Sequence, residues 1–580
     1  MLLDTEKRSI TNALWKLEKV DQREVLALAQ KFKLPEILAR ILVARDINTK
    51  NAGSFLYPLI RSLLPDPFHL LEMDKAVYRI IQAIINNENI AIFGDYDVDG
   101  ATSSALIKRY LKMIGIHSII YIPDRVNEGY GLNSSSLFQL KKEGIDLCIS
   151  VDCGTLAYQP VKDAKNFGLD IIVIDHHLSI EKLPSAVAII NPNRLDESSS
   201  YRNLAAVGVS FLLIVALNKR IREHGFFANI KEPNLFDLLD LVALGTVCDA
   251  MQITGLNRAF VLQGLKVMST RKNIGLRVLS DMLRILEKPN TSRLSFNIGP
   301  CINAGGRIGE ASLGARLLST DVEEEAYSIA SKLINLNNAR KMMENEALSE
   351  AIIQAKNFSQ SDRNFIIVSG NWHQGIIGII ASRLKEQFHL PTIVISIKNG
   401  MGKASCRSIP GVNIGAAILS AKYMNLIIEG GGHSMAAGFS IKEDRINDLQ
   451  HFFAKIFTNY SINEKALKAD GIVTVKAINL SLWSQLQRLE PFGIGNPEPR
   501  FIIQGVRIKK PEIVGGDHIK CFITDNDAIV RAIAFRSVNT HLGSAIIHGN
   551  IESILGKISV NYWNGNEFVQ FLIEDALTIS

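Results

Sequence analysis

Asp95, Asp97 and Asp99 stand on alternate positions of the stretch "GDYDVDG", residues 94–100. Like charges that close raise one another's pKa and resist ionising together unless a cation or hydrogen bonds offset the repulsion. Three further strings supply acids and imidazoles: "SVDCG" with Asp152, "VIDHHLS" with Asp175, His176 and His177, and "VALGTVCDAM" with Asp249. Aspartate oxygens joined by one or two imidazole nitrogens suit Mn²⁺ or Mg²⁺ better than a thiolate-preferring zinc. Two such ions, about 3.5–4 Å apart, clamp a phosphoryl group and generate hydroxide at neutral pH. Taken singly, each string has a plainer reading. The first suits an acidic turn, a calcium-like loop or a dehalogenase-type site; the others suit a helix cap or a turn with one packed imidazole. Together they favour a metal site.

These groups need a frame, and the chain predicts one. Residues 74–86 read as a helix, 89–94 as a strand, 101–114 as a helix and 117–122 as a strand. A helix near 134–143, the strand 146–151, a helix near 157–167 and the strand 170–174 follow. Short β-rich strands separated by helices predict parallel βαβ units, whose ligands bind beyond the carboxyl ends of the strands. Asp95–Asp99, Asp152 and Asp175–His177 each follow such a strand, and Asp249 ends an apolar helix.

Around this core the expected organisation is a helical segment over 1–70, a parallel-sheet α/β domain over 71–320, a connecting helix over 321–360, a second α/β domain over 361–465 and a small β-barrel over 466–580. Asp321 and Glu324 are spaced as a capping box for the long helix. "LEPFGIGNPEP" (489–499) reads as a rigid linker into the barrel.

At 580 residues the chain exceeds one core. Its formal charge of +6 permits a polyanionic partner without demonstrating one. The N-terminus carries charges where a signal peptide needs an apolar core, and no apolar run spans a bilayer. Six scattered cysteines without a Cys-x-x-Cys pair predict reduced thiols, hence a soluble cytoplasmic protein with no membrane association.

"GDYDVDG", "VDCG", "DHH" and "GTVCD" resemble, in order, the four motifs of the DHH phosphoesterase superfamily. "CINAGGRIGE" (301–310), "NWHQGIIGIIASRL" (371–384), "KASCRSIPGVNI" (403–414) and "GGGHSMAAGF" (430–439) extend the similarity to its single-strand-specific bacterial exonucleases. The resemblance implies a DHH domain, a DHHA1-type second domain and a C-terminal OB-fold, acting on single-stranded DNA from the 5′ end with two Mn²⁺ or Mg²⁺ ions. It implies one metal on Asp97 and Asp152, and another on Asp99, Asp152, His176 and Asp249, with Asp152 bridging. Asp95 either binds directly or orients ligands, and His177 contacts the scissile phosphate or assists the leaving oxygen. Relatives in the wider superfamily often carry a histidine where this chain has Phe93, which implies a more open first metal site.

In the second domain, Gly430-Gly431-Gly432-His433 lets backbone approach a phosphate, and Arg407 offers a bidentate fork. The resemblance implies phosphate binding by Arg407, Ser408 and His433 and substrate roles for Arg307, His373 and Gln374. It also implies a monomer partnered by single-strand-binding protein and a helicase. Residues 470–580 hold ten Lys and Arg against eleven Asp and Glu, so contact of the barrel with DNA needs a local patch such as Arg507, Lys509 and Lys510. Phe492, Phe501, Tyr562 and Trp563 are stacking candidates, most of them expected in the barrel core. Two rivals stand beside the exonuclease: a DHH phosphoesterase for short oligonucleotides or cyclic dinucleotides, and a catalytically silent nucleic-acid-binding factor.

Overall fold

A computed structural model describes residues 7–579 apart from 125–127, 130, 229, 286, 360–363, 458–465, 526 and 564–565, and apart from the side chains of residues 358, 359, 562, 563 and 566. The stacking candidates Tyr562 and Trp563 therefore have side chains outside the described set. The chain forms two compact units. One comprises Asp66–Asp249 and Gly264–Asn463; the other comprises Met1–Pro65, Ala250–Gln263 and Glu464–Ser580.

The first unit opens on a parallel sheet of β1 (Ile90–Gly94), β2 (Ser118–Tyr121), β3 (Leu147–Val151), β4 (Asp170–Ile174) and β5 (Ala188–Ile190), in spatial order β2-β1-β3-β4-β5. β5 has only three residues, too few for a period to show, so the sequence reading missed it. Ala91, Phe93, Cys148, Ile171 and Val173 pack on Leu137 and Leu140 of α2 (Ser134–Lys142) and on Val161 and Ala164 of α3 (Tyr158–Asn166). Helices α1 (Val98–Met113) and α4 (Ala206–Glu223) also lie against the sheet. From β1 the chain moves one way to β2, then returns past β1 to β3. The gap between β1 and β3 is thus a topological switch point, where open α/β sheets leave a crevice for ligands.

Helix α1 starts at Val98, three residues earlier than expected. Asp97 is its N-cap, accepting from the amides of Asp99 (2.9 Å) and Gly100 (3.1 Å). A Cβ at Gly100 would stand 2.3 Å from the Asp95 carbonyl, so only glycine lets the helix begin this close to the strand end. The long helix α7 (Glu323–Ser359) also departs from its expected start. Asp321 does not cap it, because its carboxylate pairs with Arg109 (3.1 Å) and Lys112 (2.7 Å). Beyond α7 a second sheet runs Ile366–Gly370, Thr392–Lys398, Met401–Arg407, Ala436–Lys442 and Glu429–Gly432 from one edge to the other. Only its first pair is parallel.

The second unit holds a seven-stranded sheet whose core includes Phe501, Ile519, Ile523, Ile554 and Phe571. Phe501 is fully buried and Phe492 packs against the same core. Arg507, Lys509 and Lys510 lie on its exposed edge strand Arg507–Val514. Residues 1–70 are not purely helical, since Leu14–Leu17 is a strand paired parallel with Ala466–Ala469.

Residues 489–499 are a packed turn rather than a linker. The buried Arg258 guanidinium donates to the carbonyls of Phe55 (2.8 Å), Leu489 (3.0 Å), Glu490 (2.6 Å) and Pro491 (3.2 Å), and it lies 3.8 Å from the Phe55 ring centroid. The fully buried Asn496 donates to the Leu489 and Pro491 carbonyls as well. Arg258→Met removes the donors, leaving the Phe55 and Glu490 carbonyls without their guanidinium partner and the Leu489 and Pro491 carbonyls with Asn496 alone, so it is expected to destabilise this unit by about 3 kcal/mol. Urea unfolding followed by circular dichroism tests this, and an unmoved first transition would show that the guanidinium is not the clasp.

Candidate metal centre

The ends of β1, β3 and β4 deliver the acids, and each end solves a local problem in doing so. After β1, Asp95 turns Oδ1 onto the Tyr96 amide (2.8 Å), and Asp97 is committed through Oδ1 to capping α1. Asp99 lies in the first turn of α1, fully buried, and points across to a second helix start. The amides of Ala206 (2.6 Å) and Val207 (2.9 Å), at the N-terminus of α4, donate to its two oxygens. A helix N-terminus stabilises negative charge, so α4 is one counterweight to the cluster. After β3, Asp152 adopts a left-handed backbone conformation (φ +62°), an uncommon one for a non-glycine residue. Its amide still continues the sheet by donating to the Ile174 carbonyl at 2.9 Å.

After β4, the three residues of "DHH" take different places. Asp175 is buried and accepts from the amides of Thr155, His176 and His177 and from His177 Nδ1 at 2.7 Å. It holds the loop and does not join the acid group. His176 Nε2 lies 3.3 Å from Asp152 Oδ1, 3.6 Å from Asp249 Oδ2 and 3.9 Å from Asp99 Oδ2. His177 Nδ1 lies 4.0 Å from Asp152 Oδ1, and its side chain is 44 % exposed. Asp249 follows α5 (Leu239–Cys248) as its C-terminal cap residue.

Three overlapping groups result: Asp95, Asp97 and Asp152; Asp99, His176 and Asp249; and Asp152, His176 and His177. Within each, the ligand atoms lie within 4.8 Å of one another. Burial, then the neighbouring charges of Asp99 and Asp97, pushes Asp249 up to about 9. Burial and Asp97 push Asp99 up to about 7. Asp152 rises well above the carboxylate range through burial and then Asp99. His176 falls to about 4, through burial and then the charge of His177. For His177, burial works downward, but the Asp175 hydrogen bond and charge outweigh it and raise the ring to about 9.

The residues fit divalent cations. Asp249 Oδ2 is buried and accepts no hydrogen bond among the described residues. Burial and mutual repulsion favour the protonated forms of Asp99, Asp152 and Asp249, and the donor set is oxygen with imidazole. Ligands on one small divalent ion sit about 3 Å apart, close to the His176–Asp152 spacing. Phe93 is fully buried, packs on Tyr121 with ring centroids 5.3 Å apart, and shares a core with Leu137 and Leu140 of α2.

The second half of the unit reaches this site through α6 (Gly299–Ile308). A Cβ at Gly306 would stand 2.4 Å from the Tyr96 carbonyl, so α6 rests directly on the acidic loop. Arg307 donates to the Gly375 carbonyl at 3.2 Å, beside His373 and Gln374. His373 Nδ1 accepts from the Gly375 amide, and with Gln374 and Trp372 it lines a pocket of about 320 Å³. Trp372 is buried and donates to Glu350, a core role. Arg407 donates to the Cys406 carbonyl and to Ser405 Oγ. Ser408 is buried, and its hydroxyl donates to the Val412 carbonyl at 2.7 Å, so it braces the loop rather than offering that group to a ligand. Gly431 and Gly432 lie on the edge strand Glu429–Gly432, and His433 is exposed just beyond it.

Residues 89–246 match the model of the DHH family, N-terminal domain; residues 362–459 match the DHHA1 domain and residues 469–575 the RecJ OB domain. The single-stranded-DNA-specific exonuclease RecJ of Salmonella typhimurium is 34 % identical over 560 residues, covering 93 % of this chain and 96 % of its own length. The protein of the same name from Bacillus subtilis is 30 % identical over 570 residues, covering 97 % of this chain and 70 % of its own. The chain belongs to the RecJ family. A crystal structure of RecJ with Mn²⁺ from Thermus thermophilus superposes with a TM-score of 0.81 at 26 % identity, covering 98 % of this chain and 80 % of that one. Its Mg²⁺ counterpart gives 0.76 at 25 % identity, covering 98 % and 78 %.

Sequence reasoning missed the residues that hold the RecJ-type "DHH" loop. Asn191 Nδ2 donates to the His177 carbonyl (2.8 Å) and to Thr155 Oγ1 (2.9 Å), and Asn193 Nδ2 donates to the His176 carbonyl (2.6 Å). "NPNR" at 191–194 carried the available signal, an Asn/Pro turn closing a strand.

Asp175→Asn removes the charge that keeps His177 protonated. In the metal-free protein, NMR titration is expected to show His177 near 9 in the parent and clearly lower in the variant. The raised histidine contributes stability below its ordinary pKa of about 6.5 that is lost as pH rises through about 9. The lowered Asp175 carboxyl contributes stability above the ordinary aspartate range that is lost as pH falls. The stability gap between parent and variant should therefore be widest between about pH 4.5 and 6.5. A gap that does not vary with pH would refute the pairing.

Proposed function

We propose that this chain is a metal-dependent exonuclease that degrades single-stranded DNA from its 5′ end to mononucleotides, in repair and recombination. One observation carries the reading: at the switch point of a parallel sheet, an acidic group holding Asp152 and another holding His176 are linked by the close approach of Asp152 to His176, within a chain related over nearly its whole length to single-stranded-DNA-specific exonucleases.

Asp95, Asp97 and Asp152 would hold one Mn²⁺ or Mg²⁺ ion, and Asp99, Asp152, His176 and Asp249 the other. When bound, the ions supply hydroxide at neutral pH and offset charge on the phosphoryl oxygens. His176 is suited to ligation because its ring stays neutral. His177 is suited to a different task, since Asp175 accepts from Nδ1 and leaves a protonated Nε2 for the scissile phosphate or the departing 3′-oxygen. Arg307, His373, Gln374, Arg407, Gly431, Gly432 and His433 would bind phosphates of the strand, with Ser408 bracing their loop. An Arg507, Lys509 and Lys510 edge on the OB domain supplies further backbone contact.

Among the described residues no helix is long and apolar enough to cross a membrane, and all six cysteines are free thiols. A cytoplasmic monomer that meets single-strand-binding protein and a helicase on its substrate fits this reading.

Asp152→Ala is expected to lower turnover at least 10³-fold while strand affinity stays within about threefold, because only the chemistry depends on the shared ligand. The assay uses Mn²⁺ with end-labelled single and double strands beside dinucleotides. Progressive loss from the 5′ end of the single strand supports the proposal. Cleavage confined to dinucleotides, binding without hydrolysis, or normal turnover by Asp152→Ala would overturn it.

A further inference from the structure

Phe296 is 76 % exposed. It stands in the middle of a π-helical turn, Leu294–Ile298. Such turns give up regular hydrogen-bond geometry and recur at functional sites. Leu294 and Ile298 are buried, so the turn is anchored from below and Phe296 is held outward.

The mount of this ring is tied to the metal centre at both ends. The Leu294 carbonyl accepts the Cys248 thiol at 3.5 Å, and a Cβ at Gly299 would lie 2.6 Å from Cys248 Sγ. Cys248 immediately precedes Asp249, so the turn grips the segment that delivers Asp249 to the cluster. Past Gly299 the chain continues as α6, which rests on the Tyr96 carbonyl and carries Arg307. The ring is therefore exposed, yet fixed to the same frame as the acids.

The surroundings of Phe296 select the kind of ligand. Ser295 and Asn297, its neighbours in the chain, are polar and half-buried. Lys288 is exposed on the preceding segment, and Arg293 is 37 % exposed while paired with Glu287. An exposed aromatic ring held on an anchored turn is the kind of group on which an unpaired base stacks, and the two cations lie three to eight residues before it in the chain.

We propose that Phe296 is a base-stacking platform for a nucleotide of the single strand held at the metal centre. This deepens the exonuclease reading and rests on it. The stack adds affinity and sets the strand's register, while the acids perform the chemistry, so Phe296 acts on KM rather than kcat.

Three substrates test it on the full-length protein with Mn²⁺: an oligothymidylate, the same strand with an abasic nucleotide stepped through its first few 5′ positions, and a strand carrying 2-aminopurine at those positions. Phe296→Ala is expected to raise KM for the intact strand about tenfold, with kcat unchanged, and Phe296→Trp to restore it. At one abasic position the parent should lose the same affinity and the variant nothing more. In the metal-free protein, 2-aminopurine at that position should be quenched by the parent and not by Phe296→Ala. An unchanged KM, or a penalty that persists at every abasic position, overturns the platform. Failure of the parent to hydrolyse any strand would overturn the exonuclease reading instead, and the 2-aminopurine comparison would still decide whether Phe296 stacks.

Discussion

Everything in the first unit is arranged around a repulsion. Asp95, Asp97, Asp99, Asp152 and Asp249 are brought together at one edge of a sheet, four of them pressed into surroundings that disfavour charge. The fold meets part of that cost with fixed dipoles. The α4 amides take Asp99, the α1 amides take Asp97, and the strained backbone of Asp152 still keeps its sheet hydrogen bond. What it leaves unmet is specific: Asp249 Oδ2 has no hydrogen-bond donor among the described residues, and the raised pKa values of Asp99 and Asp249 record burial first and then the neighbouring negative charge. A scaffold selected for stability alone would not keep such a cluster. One built to take up divalent cations does, because the ions complete its electrostatics.

The large pieces of this arrangement were legible in the sequence because they rest on period and residue type. Alternating strands and helices predicted the parallel sheet, and acids just past strand ends predicted where its ligands converge. The finer pieces depend on close approach, which a one-dimensional pattern does not carry. Helix α1 starts at Val98 because Gly100 admits the Asp95 carbonyl, and that moves Asp99 from an extended segment into a helical turn. Asp321 resembled a cap by spacing, but two cations distant in sequence claim its carboxylate. The Pro- and Gly-rich stretch 489–499 resembled a linker by composition, and it is packed because Arg258 needs its carbonyls. In each case a long-range partner outweighed a local preference.

The second half of the unit is held to the metal centre by backbone packing rather than by flexible side chains. Gly306 sets α6 on the acidic loop, and a Cβ at Gly375 would stand 2.2 Å from the Arg307 carbonyl. Behind these approaches lies a buried polar network on α7. Arg340 donates to Asn337 and pairs with Glu344 at 2.6 Å, Glu344 also meets Arg383, and Asn337 donates to Cys301 of α6. Polar groups with few alternative partners fix register more tightly than apolar packing, which tolerates sliding. A site that positions a phosphodiester between two lobes needs this kind of fixed separation.

The two adjacent histidines show how a short motif holds three jobs. His176 and His177 differ by one position, yet one ring is pushed down to about 4 and the other up to about 9. Burial and then the charge of His177 lower His176, while Asp175 raises His177 by turning its carboxylate onto Nδ1, leaving His176 against the acid cluster. A neutral imidazole can give its lone pair to a cation; a protonated one cannot, and is suited to meeting an anionic phosphate or a departing oxygen. Exposure follows the same division, with His177 open to solvent and His176 nearly enclosed. Asp175 thus converts two identical side chains into a ligand and a proton holder, and it does so from a position that reads in sequence like one more member of the acidic cluster.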